Sequence, residues 1–262
     1  MNTNLINKTA LVCGGSQGLG FATAKELALM GARVILASRT ADKLIAALPQ
    51  LNNAAGQQHQ YLVIDLSNPD NAANAVSDWL KANGPIHILI NNAGGPPAAP
   101  LIDTDAAAIE KAFATHVISS HLLAQLIVPG MRAEGFGRIV NILSTAVKQP
   151  INGLGISNTI RAAMANWAKT LANEIGYAGI TINNVLPGYT NTNRLKYLFE
   201  KQAADLGITS QEIEKKLLES IPAKRLGEPE EFGAVAAFLC SPAAAYINGV
   251  NIPVDGGRTG TL

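Results

Sequence analysis

Two rhythms of apolar and polar positions alternate along this 262-residue chain. Runs that are apolar at nearly every place occur at 9–12, 33–37, 61–64, 86–91, 138–143, 180–185 and 251–254. A strand apolar on both faces belongs in a parallel sheet covered by helices on two sides. Between the runs, apolar residues recur every three or four places, which predicts helices over 19–30, 41–48, 71–82, 105–131, 156–177 and 230–239. Pro69 and Pro229 stand where a first helical turn tolerates proline. Unbroken strand–helix alternation predicts one α/β domain over 1–262: a doubly wound, seven-stranded parallel sheet with helices on both faces.

The rhythm breaks once. Residues 192–224 carry two short, charged helical patterns, 194–206 and 210–220. An insertion at that point lies above the carboxyl ends of the strands, where ligands bind in such sheets, and is expected to form a helical lid.

Composition narrows the partners. With 48% hydrophobic residues, 15% charged residues and a net charge of +1, the chain has no basic run to attract nucleic acid or an anionic membrane. The same low charge favours an oligomer, because some apolar surface can face another subunit. Cys13 and Cys240 sit in apolar segments and read as buried free thiols, and no metal site is expected. The polar start Met1-Asn2-Thr3-Asn4 lacks a signal-peptide pattern, and no apolar run approaches a membrane span, so a cytoplasmic location is expected.

Chemistry enters with Gly14-Gly15-Ser16-Gln17-Gly18-Leu19-Gly20, between the first strand and the first helix. Glycines there permit a tight turn, close approach of backbone to a pyrophosphate and tight helix–sheet packing, while the helix N-terminus offers N–H groups to phosphate. Ser38-Arg39 ends the second strand, where an acidic residue would favour an unmodified ribose. An arginine can instead fork onto a 2′-phosphate, so NADP(H) is preferred over NAD(H). Asp65-Leu66 could meet the adenine amino group, and Asn91-Asn92-Ala93-Gly94 lets backbone and cofactor come close.

These segments, together with Arg138-Ile139-Val140-Asn141-Ile142-Leu143-Ser144, Leu186-Pro187-Gly188 and Val254-Asp255-Gly256-Gly257, resemble the short-chain dehydrogenase/reductase family over nearly the whole chain. The nearest resemblance is to an atypical branch similar to 3-oxoacyl-acyl-carrier-protein reductases. It implies a Rossmann-type fold, a small-molecule carbonyl or acyl-thioester substrate, and a homodimer or homotetramer packed through helices 105–131 and 156–177, with the tail 256–262 near an interface. It also implies that Pro187, Gly188 and Thr192 hold the nicotinamide carboxamide, with Thr190 of the same loop a further cofactor-binding residue. Four catalytic places follow from it, usually asparagine, serine, tyrosine and lysine. Here Ser144 keeps the serine, while His116, Ser157 and Arg161 occupy the other three.

An aliphatic hydroxyl is a far weaker acid than a phenol, and arginine shares no proton near neutrality. Ser157 therefore cannot replace a tyrosine directly, although Arg161 could still reach the ribose. Three outcomes are open: another acid, with His116 first and Tyr189 second; NADP(H) binding with little or no turnover; or hydride transfer to an activated alkene or iminium that needs no proton at oxygen.

Overall fold

Successive residues of the first strand, β1 (Thr9–Cys13), point to opposite sides of the sheet. Ala10 and Val12 enter one apolar core; Leu11 and Cys13 enter the other. The computed structural model describes residues 1–261. The remaining strands are β2 (Arg33–Ser38), β3 (Gln60–Val63), β4 (Ile88–Asn91), β5 (Gly137–Ile142), β6 (Ile180–Pro187) and β7 (Asn251–Val254). They lie in the order β3-β2-β1-β4-β5-β6-β7, all parallel, as the alternation predicts.

Helices α1 (Gly18–Leu29), α2 (Ala41–Ala47) and α9 (Pro229–Leu239) cover one face, closing over Leu36, Ile90 and Val140. Helices α3 (Pro69–Asn83), α5 (Ser119–Ala133) and α6 (Gly155–Ile175) cover the other, closing over Leu11, Leu89 and Ile139. Each of α3 and α9 begins at its proline. Strand order reverses between β1 and β4, and in a doubly wound sheet the ligand crevice opens beyond the carboxyl ends of the strands at that point.

Below that crevice the right half of the sheet is tied by a polar row. Asn91, Asn141, Asn184 and Asn251 stand in register on β4 to β7. Each side-chain amide donates to the next side-chain oxygen, at 2.8, 2.7 and 2.8 Å. Three of the four are buried, so a slip in register would strand several amides without partners.

The structure differs from the periodicity in three places. β3 is an edge strand whose Tyr61 and Val63 are exposed, so only alternate residues are covered. The helix expected over 105–131 is divided into α4 (Ala106–Phe113), a π-helical turn at Ala114–Ile118, and α5. The continuous helical stretch Ala106–Ala133 is also long and apolar enough to cross a membrane, contrary to the reading of the apolar runs. Half of its most apolar window is buried against α3, α6 and the sheet, so its hydropathy reflects core packing. Cys13 and Cys240 are buried free thiols, and burial pushes both up to about 12. Of the tail 256–262, Leu262 lies outside the described residues.

Candidate active site

At the mouth of the crevice, β1 passes into α1 through a turn that only glycine allows. Gly14 and Gly18 have φ of +58° and +59°, in the left-handed region. A side chain at Gly20 would run into the Gly14 carbonyl and the Asn92 amide. Asn92 Nδ2 donates to that carbonyl at 3.3 Å, so the β4 end braces the turn. Gln17 precedes α1 without capping it, and the first turn has no acidic residue, which leaves its N–H groups open to an anion. Ser16 and Leu19 lie half-buried on the same turn.

The end of β2 presents Ser38 and Arg39. The Ser38 hydroxyl is buried with no hydrogen-bond partner, and Arg39 is exposed beside it. Asp65 accepts from the Ser67 amide and hydroxyl through Oδ1, both at 2.9 Å. Burial raises its pKa, but the Ser67 hydrogen bonds and the cations Arg39 and Lys111 outweigh burial and hold it below the usual carboxylate range. The Leu66 carbonyl accepts from Ser119 Oγ at 2.6 Å, fixing the end of β3 to α5. An orphaned hydroxyl, an uncapped helix and a glycine cradle fit an adenosine dinucleotide.

Of the four expected catalytic residues, Ser144 follows β5, Ser157 and Arg161 lie on α6 and His116 on the π-helical turn, and Ser144 alone of them lines the cavity that opens beside it. Ser144 Oγ accepts from the Ala146 N–H at 3.1 Å, which leaves its own proton free to donate. Ser157 is half-buried on the first turn of α6. One turn on, Arg161 is buried and turned inward: Nη1 donates to the Ile142 carbonyl at 2.9 Å and Nη2 to the Ala93 carbonyl at 3.5 Å, while Nε has no partner. Burial, and then Arg194, lower its pKa to about 10. The guanidinium thus bridges the ends of β4 and β5, where a flexible lysine would reach for the ribose.

His116 departs from its expected role. The π-helical turn carries it inward, where it is 5% exposed and hydrogen-bonded to the Gly94 backbone. Burial, and then the Arg161 guanidinium, drive its pKa down to about 3, against the raising effect of the Gly94 bond. An imidazole held neutral in this way is not an acid that titrates near neutrality.

A cavity of about 270 Å³ opens beside Ser144, walled by Leu19, Pro187, Gly188, Tyr189 and Thr190. Helix α7 (Asn193–Leu206), the first half of the expected lid, closes one side with Thr192, Arg194, Leu195 and Leu198. The Thr192 hydroxyl caps this helix by accepting from the Leu195 N–H, and the Thr190 hydroxyl donates to the Gly188 carbonyl. Arg194 reaches across the crevice to the neighbourhood of Gly95. With α8 (Ser210–Glu219) it forms a small apolar cluster of Leu195, Phe199, Ala203 and Ile213. Sequence reasoning missed Arg194 and Arg258 as cavity residues. Their only signal was position, one in the charged insertion and one just after Asp255-Gly256-Gly257.

Residues 14–259 match a family profile described as Enoyl-(Acyl carrier protein) reductase. The chain is 34% identical to gluconate 5-dehydrogenase of Gluconobacter oxydans, over 99% of this chain and 97% of that protein. It is 32% identical to dehydrogenase/reductase SDR family member 4 of Oryctolagus cuniculus, over 98% of this chain and 96% of that protein. The crystal structure of L-sorbose reductase from Gluconobacter frateurii, complexed with NADPH and L-sorbose, superposes with a TM-score of 0.94 at 30% identity, and the whole of both chains is covered. A doubly wound sheet, a glycine cradle at its switch point and full-length likeness to these proteins lead to one conclusion: the chain belongs to the short-chain dehydrogenase/reductase family of oxidoreductases.

Proposed function

We propose that the protein is an NADP(H)-dependent reductase of a small, hydroxylated carbonyl compound, working without the Tyr–Lys pair. The observation that carries the cofactor choice is the unpartnered, buried Ser38 hydroxyl beside Arg39. Bound NADPH would supply the hydride. The chain's own residues supply the rest. Ser144 donates to the carbonyl oxygen, Arg161 contributes fixed positive charge at the floor of the cleft, and Leu19 with the Pro187–Thr192 loop shields the reacting face from water.

With His116 neutral and Ser157 a weak acid, protonation falls to Tyr189 or to water held at Ser144, both of which line the cavity. A short polyol chain is favoured over a 3-oxoacyl thioester because two of the similar proteins named above are a gluconate 5-dehydrogenase and an L-sorbose reductase.

A second reading, cofactor binding with little turnover, draws support from the way both Arg161 amino groups are spent on main-chain carbonyls. NADPH oxidation over a panel of ketoses and keto acids separates the two. The reductase reading expects turnover above the buffer rate with at least one of them, and a reduced kcat for Ser144→Ala. A flat response across the panel, with NADPH still bound, would favour the second reading. The exposed Phe113, at the end of α4, and Ile118, at the end of the π-helical turn, support self-association through that surface, and light scattering giving the mass of one chain would refute it.

A further inference from the structure

Beyond Ser144 the cavity continues into a second, more polar recess of about 490 Å³, and the two share Thr145, Ile151 and Arg258. No aspartate or glutamate lines either one. Arg258 follows β7 in a tail turn whose shape is fixed locally. Asp255 Oδ1 accepts from the Gly257 N–H at 3.0 Å and Oδ2 from the Thr259 N–H at 2.8 Å, so this carboxylate is occupied by main-chain donors. Arg258 enters no ion pair among the described residues. Its guanidinium lies over the Tyr189 ring, 4.7 Å from the centroid, which aims it along the cavity wall.

One donor at this spot has nothing to bond: Arg258 Nε is buried without a partner, while the Thr259 hydroxyl beside it has the Asp255 carboxylate as its neighbour. A buried donor left unsatisfied is costly, and one at the wall of a cavity marks a place where a ligand completes the set. The cofactor phosphates do not account for it. Those belong at the start of α1 and at Arg39, on the β1–β2 side of the sheet, whereas Arg258 follows β7 at the opposite edge.

We propose that Arg258 forms a subsite for a carboxylate carried by the substrate, so that the preferred substrate is a short hydroxylated keto acid with its carbonyl at Ser144 and its carboxylate at Arg258. The planar fork of an arginine matches two carboxylate oxygens. This rests on the reading that a small carbonyl compound is reduced here, but binding can be tested without turnover.

The experiment is a calorimetric titration of the NADPH-loaded protein with D-gluconate, with D-glucitol as the neutral analogue of equal length, and with inorganic phosphate. Gluconate is expected to bind about ten- to a hundredfold more tightly than glucitol, the range of a charge-assisted hydrogen-bonded pair. Arg258→Gln should erase that margin while leaving glucitol and NADPH affinities within about twofold, and Arg258→Lys should restore part of it. Equal binding of gluconate and glucitol, absence of gluconate binding, phosphate binding as tightly as gluconate, or an equal loss for both polyols in Arg258→Gln would each overturn the subsite. The NADPH titration on the same samples reports separately on the cofactor reading, and the melting temperature of each variant reports on folding.

Discussion

The two halves of the crevice are built from different materials. On the β1–β2 side the parts that face the pyrophosphate are main chain and glycine, the Gly14–Gly20 turn and the uncapped start of α1, and side chains enter only at the β2 end with Ser38 and Arg39. On the β4–β5 side the working parts are side chains, Ser144, Ser157, Arg161 and His116, and three of these four places hold residues outside the usual set. Backbone sites tolerate sequence drift, because any residue of the right φ and size serves them. A side-chain site changes its chemistry with each substitution. Cofactor binding and proton transfer can therefore diverge within one fold, the first kept while the second is rewritten.

The largest effect that would sharpen this contrast is a gain. Restoring the pair with Ser157→Tyr plus Arg161→Lys is expected to raise ketone reduction by about 10²- to 10⁴-fold, the usual worth of a positioned general acid. The expected gain assumes that the cleft already holds cofactor and carbonyl in place. Steady-state kinetics on L-sorbose checks it, and an unchanged rate would mean that the rest of the pocket has diverged as well.

On the other half, Gly20→Val should abolish NADPH binding and destabilise the fold by about 1–3 kcal/mol. Its side chain meets the Gly14 carbonyl and the Asn92 amide, where neither strand end can give way. Fluorescence titration and urea melts measure both quantities, and wild-type affinity would break the contrast.

A smaller effect isolates His116. Its folded pKa of about 3 lies below the ordinary 6.5, so the unfolded chain binds the extra proton between these values. Its contribution is full above pH 6.5 and is lost as pH falls toward 3, with a slope of up to ~1.4 kcal/mol per pH unit. His116→Asn should flatten that acid limb in urea melts from pH 7 to 4. A limb as steep as the wild type's would show that the imidazole is not held neutral.

How much of this was legible in the chain depends on where each feature gets its cause. Strands β1, β4, β5 and β6 could be read because burial on both faces leaves a mostly apolar run. β3 could not be read as fully covered, since edge position is decided by the other strands. The glycine cradle was visible because its residue type is its function. The π-turn at Ala114–Ile118 leaves no composition signal: a slip in hydrogen-bond register adds one residue to a helical turn of ordinary sequence. The protonation of His116 depends first on its burial and then on Arg161, far away in the chain and near only after folding. Likewise each asparagine of the row could be seen, but their alignment on β4 to β7 required the strand register.

The central proposal is that the β1–β2 half of the crevice takes NADP(H) in preference to NAD(H) through Ser38 and Arg39. Side-by-side fluorescence titration of NADPH and NADH on the wild type and on Arg39→Ala tests it most directly. The account predicts a preference for NADPH of about ten- to a hundredfold that largely disappears in Arg39→Ala. Equal affinities in the wild type, or a preference unmoved by the loss of Arg39, would contradict it.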